Sequence, residues 1–162
     1  MPCRLDSVCK FICTQGDWAV TNARLQKILY VAQMYYMGQH DGERLVDTHF
    51  EAWDDGPISP ALYRKTETFG VSPVKDVFFN ALDFCPEDSR RLLLEEVCPD
   101  LLKRTPGELA DITHWQQGAW ARNYVPGAKF ALIPDPDIVK EYQDRVRDFG
   151  LPGSGPIYIA PR

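Results

Sequence analysis

The sequence contains no apolar run approaching the roughly 18 residues that a membrane-spanning helix needs, so no membrane role is expected. Residues 1–17 show no basic start, apolar middle or small-residue cleavage site, the three parts of an export signal. The expected location is therefore the cytoplasm. Low-complexity tracts and internal repeats are missing as well. Cysteine is scarce and odd in number: Cys3, Cys9, Cys13, Cys85 and Cys98 lack the even count of a disulfide framework. Cys9 and Cys13 stand four apart on an expected helix, a spacing able to share a metal. No CxxC pair or nearby histidine accompanies them, and buried thiols acting as small apolar side chains account for them more simply. No metal and no cofactor is expected.

Clustered positive charge is also lacking. Eighteen Lys and Arg against 23 Asp and Glu leave a net charge of -5, the wrong sign for a surface that binds phosphates. The pairs Arg90-Arg91 and Lys103-Arg104 are diluted by Glu95, Glu96, Asp100 and Glu108, as on a solvated helix face. Nucleic acid is not an expected partner; an acidic surface suits a basic protein. Catalytic signatures are missing too, with no GxSxG, HExxH, P-loop or GxGxxG in the chain.

What is present is enough for a core. With 162 residues, 44% of them hydrophobic, a chain can bury apolar area without disulfides or metals to staple it. One domain over residues 1–150 is expected, followed by a Gly- and Pro-rich tail over 151–162. A first helix spans about 4–14, with Leu5, Val8, Cys9, Ile12 and Cys13 on one stripe and Gly16 at its end. A second spans about 22–37, capped by Thr21 or Asn22. It is apolar nearly all round, with only Arg24 and Lys27 charged, which marks it as the central, buried helix.

The alternation over 48–53 suits a short strand, ended by a turn at Asp54-Asp55-Gly56-Pro57. Ser59-Pro60 starts a third helix that stops at Gly70. Residues 74–79 are the candidate second strand. A fourth helix is expected over 86–103, broken or kinked at Cys98-Pro99. Thr105-Pro106-Gly107-Glu108 reads as a capping box for a fifth, and the last runs from Asp135-Pro136 to Gly150. The predicted fold is mainly α with a small β element (α+β): a compact bundle of about six helices around the central helix, with a two-strand β piece.

Three segments carry a resemblance. Leu25-Gln26-Lys27-Ile28-Leu29-Tyr30 is similar to an L-Q-K-L-L-Y helix. Glu51-Ala52-Trp53-Asp54-Asp55-Gly56-Pro57-Ile58 is similar to E-A-W-x-x-G-P-V, with Tyr63 on the next helix. Leu109-Ala110-Asp111-Ile112-Thr113-His114 is similar to L-S-x-L-T-H, with Trp120 and Arg122 where W-x-x-A-R is found. Together and in this order they resemble the Panacea domain of SocA-like antitoxins. The resemblance implies a toxin-antitoxin role, often prophage-associated, in which the chain neutralises a cognate protein toxin by direct binding. It also implies an alternative, a proteolytic adaptor delivering the toxin to an unfoldase-protease. The chain departs from the pattern at Ala119, where proline usually precedes the tryptophan, and at Trp115, a commonly acidic position.

The chain is therefore expected to be a binding protein and not an enzyme. The enzymatic alternative would use His114 with an acidic residue of the 51–55 segment, and Cys85 or Cys98 as nucleophile. A plainer reading makes His114 a helix-end imidazole bonded to a neighbour. Gln26, Tyr30 and Gln33 share one flank of the central helix and must find partners if buried, since an unpaired buried amide costs about 1–3 kcal/mol. Lys27 is expected to reach Glu51 or Asp55. These polar groups either fix the fold or, with Trp53, border a partner groove. Gly56 and Pro57 set the backbone of the turn. The run Ile157-Tyr158-Ile159 docks either on its own domain or on a partner, as an added strand.

Overall fold

The computed structural model describes residues 2–128, 130–150 and 156–158. Two helices open the chain, α1 (Leu5–Gln15) and α2 (Asn22–Gln39). Thr21 caps α2 by accepting the Arg24 N–H, and every residue from Leu25 to Met37 is buried. That burial is possible because other elements surround α2: α3 (Pro60–Thr66), α4 (Ser89–Lys103), α5 (Pro106–Thr113) and α7 (Asp135–Phe149) all pack on it, together with α1. The short α6 (Ala119–Asn123) joins α7 to the sheet. Among the described residues there are thus seven helices. The sixth escapes sequence reading because Ala-Trp-Ala-Arg-Asn is too short to show a helical period.

The expected β piece exists, but its partners are different. Strand β1 (Phe50–Trp53) pairs antiparallel with β2 (Gly56–Ile58) and, on its other side, with β3 (Leu132–Ile133). Glu51 faces Ile58 and Trp53 faces Gly56 across the hairpin. Residues 74–79 form no strand; they run irregularly, Val74 donating its N–H to the Val20 carbonyl. Asp54-Asp55 is therefore a tight hairpin turn, and Gly56-Pro57 already belongs to the returning strand. Nor does Cys98-Pro99 interrupt α4: Leu94, Val97, Cys98 and Leu101 are buried on both sides of the proline, and their packing outweighs the hydrogen bond it removes. The helix begins later than expected, where Asp88 accepts the Arg90 N–H. The Thr105–Glu108 capping box is formed as read.

A buried polar knot joins these layers. Glu141 and Arg145 of α7 are each about 1% exposed and form an ion pair at 2.9 Å. The Tyr30 hydroxyl and the Ala119 N–H both donate to Glu141, at 2.6 and 2.8 Å. The Arg145 guanidinium donates to the Ile112 and Tyr158 carbonyls and lies 4.5 Å over the Trp115 ring. Both departures from the family pattern thus touch this knot: a proline at 119 would have no N–H to donate, and Trp115 supplies the arginine with an aromatic face.

Within the tail, Ile157 and Tyr158 contact the chain's own helices. Tyr158 is buried, its ring set edge-on against Tyr35 and its hydroxyl bonded to Asp100; Ile157 donates its N–H to the Tyr35 hydroxyl. Ile159 lies outside the described residues.

Cys9, Cys13 and Cys98 are buried free thiols and Cys85 is exposed. Burial raises the proton affinity of the first three, Cys13 and Cys98 to about 12, and thiolate is the reactive form. Iodoacetamide at neutral pH is expected to alkylate Cys85 in the native protein, with Cys9, Cys13 and Cys98 reacting only after denaturation. Equal native reactivity by mass mapping would contradict this packing.

Candidate partner-binding groove

The β1–β2 hairpin lies across the first turns of α2 and beside the end of α5. Between them, with α3 on one flank and residues 127–128 on the other, opens a groove of about 520 Å³. Lys27, Trp53, Asp55, Tyr63 and His114 line it.

Local hydrogen bonds hold the walls in place. Gln26 is fully buried and clamps the start of α3 with both ends of its amide: Nε2 donates to the Ser59 carbonyl at 3.1 Å, and Oε1 accepts the Ser59 N–H at 2.9 Å. Gln33 does the same two turns on, donating to the Val46 and Thr48 carbonyls and accepting the Val46 N–H. Both glutamines thus satisfy loop backbone that would otherwise be buried without partners. The Ser59 hydroxyl caps α3 by accepting the Leu62 N–H.

The aromatic wall is a linked series. His114 stacks on Trp120 at 4.2 Å, and Trp120 stacks on Tyr124 at 4.4 Å. The Trp120 indole donates to the Trp53 carbonyl at 2.8 Å, fixing the hairpin to α6. The Tyr124 hydroxyl and the Gly127 N–H both donate to Asp54. Trp53 meets Tyr63 edge to face at 5.0 Å and donates its indole N–H to Glu51. Gly56 sits at φ +120°, and a Cβ there would lie 3.1 Å from His114 Nε2. Glycine serves both the backbone conformation and the close approach.

Three charged or titratable groups face one another here. His114, the C-cap of α5, has Nε2 sealed from solvent without a hydrogen-bond partner. Burial lowers its proton affinity, the Asp55 backbone opposes this, and the Lys27 charge lowers it further; at neutral pH the ring is uncharged. Lys27 is 9% exposed, and burial lowers its proton affinity against the pull of Asp55. Asp55 itself is exposed on the hairpin turn. Lys27 forms no ion pair with Glu51 or Asp55; Glu51 instead engages Trp53 and His49.

Of the residues singled out from sequence, Gln26, Lys27, Trp53, Tyr63 and His114 line the groove. Gly56, Pro57 and Trp120 are buried behind them, and Glu51 steers Trp53. Two lie elsewhere: Tyr30 belongs to the Glu141 knot, and Arg122 pairs with Asp144 of α7 at 3.0 Å. Ile157 and Tyr158 sit on the Tyr35 side of α2. No carboxylate hydrogen-bonds the His114 ring among the described residues; Cys85 bonds Glu87 on the surface, and Cys98 is buried in α4. Nor do three or more metal-binding side chains gather among the described residues. Sequence reading missed Tyr124, Gly127 and Ala128; the one available signal was the turn-forming Pro126-Gly127 pair.

The family model described as "Antitoxin SocA-like, Panacea domain" matches residues 25–121, a span holding all three sequence segments and most of the groove wall. No curated protein and no solved structure is significantly similar to the chain.

Proposed function

Since this chain belongs to the SocA-like antitoxin family with a Panacea domain, we propose that it neutralises a cognate protein toxin by direct contact, using the groove between α2, the β1–β2 hairpin and α5. One observation carries the reading: family-signature residues from three separate segments converge on one open groove. Gln26 there is spent on the fold, but Lys27, Trp53 and Tyr63 keep surface turned outward. Trp53 and Tyr63 are half-buried, and Phe130, which shares a neighbouring hollow with both, is 82% exposed. Half-buried tryptophan and tyrosine are the side chains from which interface hot spots are built.

The test is co-expression with the product of the adjacent gene. Wild type is expected to protect cells, and a Trp53→Ala, Tyr63→Ala double variant to lose protection with unchanged circular dichroism. A hot-spot loss of at least about 2 kcal/mol corresponds to roughly 30-fold weaker binding. Full protection by the double variant would remove the groove from the contact surface. A neighbour that is harmless, or unaffected by wild type, would remove the antitoxin role. Disappearance of the toxin, in place of its persistence in a complex, would reassign the role to delivery for proteolysis.

A further inference from the structure

We infer that the groove receives an acidic side chain of its protein partner, with Lys27 as the group that binds the carboxylate. The identity of the partner as a toxin rests on the reading above; the carboxylate site rests on geometry alone.

Lys27 is more than nine-tenths buried, and its side chain lines the groove. Among the described residues it makes no hydrogen bond and no ion pair, although an ammonium has three donors to satisfy. Its stem is buried, while the ammonium nitrogen, unlike His114 Nε2, is not sealed from solvent. A docking partner that displaces water from the groove must therefore supply an acceptor, because a desolvated, unpaired ammonium is unfavourable. The chain's own carboxylates do not supply one. Asp54 accepts from Tyr124 and Gly127, Glu51 accepts from Trp53 and bonds His49, and Asp55 acts on Lys27 only through its field, from an exposed position on the turn. A groove of about 520 Å³ has room for an incoming side chain with its flanking backbone.

The opposite occupant, an arginine, would meet Asp55 and the faces of Trp53 and Tyr63. It would also bring a like charge towards Lys27 and leave the ammonium without an acceptor once docking excludes water, where repulsion is poorly screened. A carboxylate satisfies Lys27 and packs its methylenes on the same rings. Uncharged His114 does not compete with Lys27 for counter-charge.

The full-length protein, carrying ¹³Cε-labelled lysine, is to be titrated with N-acetylglutamate α-amide and, separately, with N-acetylarginine amide. The glutamate probe is expected to shift the Lys27 signal saturably and to raise its titration midpoint. Lys27→Met should weaken that binding by about tenfold or more, the order expected of a hydrogen bond to a charged group, and Lys27→Arg should retain it. Saturable binding of the arginine probe with no glutamate response overturns the inference, as does failure of both probes to move the Lys27 signal. In cells, Lys27→Glu should abolish protection, and an acidic-to-lysine change in the toxin should restore it. If wild type fails to protect while the glutamate titration succeeds, the antitoxin reading falls and the carboxylate site stands.

Discussion

Truncating Glu141 to alanine is expected to destabilise the protein by about 3–5 kcal/mol, the range for breaking a buried ion pair from one side. Glu141 is the only described carboxylate facing the buried Arg145 head, and its removal strands three donors. The Tyr30 hydroxyl and the Ala119 N–H lose their acceptor, and the guanidinium keeps only the Ile112 and Tyr158 carbonyls and the Trp115 face. In the intact protein burial, followed by the Glu141 charge, holds the Tyr30 proton affinity well above the ordinary range; the burial remains after truncation and still opposes ionisation of the phenol. Against a total stability of order 5–15 kcal/mol, the loss is a large fraction. Urea unfolding at 25 °C measures it. Removing both partners, as Glu141→Met with Arg145→Met, should cost less than either single truncation, since no buried charge is then unpaired. A single-variant loss below about 1 kcal/mol would show that this knot does not anchor α7.

Gly38→Ala is the second large effect, and its sign is opposite to the usual one. In a helix interior this change normally stabilises by about 1 kcal/mol. Here a Cβ at residue 38 would lie 2.0 Å from Cγ, 2.1 Å from Cδ1 and 2.6 Å from Cβ of Tyr142. These atoms are at the root of the side chain, so the ring cannot swing clear without moving α7. Overpacking of this kind costs about 1–3 kcal/mol, sometimes more, and outweighs the propensity gain. Tyr142 also packs edge-on against Tyr35, so the displacement would reach the tail docked on that ring. Thermal unfolding should show a lowered midpoint for Gly38→Ala, largely recovered by adding Tyr142→Ala. A raised midpoint for the single variant would mean that α2 and α7 are not so closely apposed.

Local chemistry was legible wherever one short segment carried it. The capping box at Thr105, the Ser59-Pro60 start, the Thr21 cap and the buried character of α2 each depend on neighbours within a turn or two, and each is formed. The paired β piece was legible only in part: Phe50–Trp53 alternates, whereas the two-residue β3 and a β2 containing proline carry no strand period. Nothing in the sequence marks Glu141 and Arg145 as a buried pair, because a Glu and an Arg four residues apart are equally common on exposed helix faces. Only a count of what surrounds α7 reveals them as buried.

Helix periods, caps and turn chemistry are short-range, so the sequence by itself determined a mainly α protein with a small β piece. The Panacea class came from the resemblance carried by residues 25–30, 51–58 and 109–114, within the span that the family model matches. Which of those residues face a partner was decided only by tertiary structure. Tyr30 and Arg122 look equivalent to Lys27 and Tyr63 along the chain, yet the packing of α7 draws the first two into its own contacts and leaves the other two in the groove. That sorting follows from which side of α2 each neighbouring helix covers, a long-range outcome that no local spacing records.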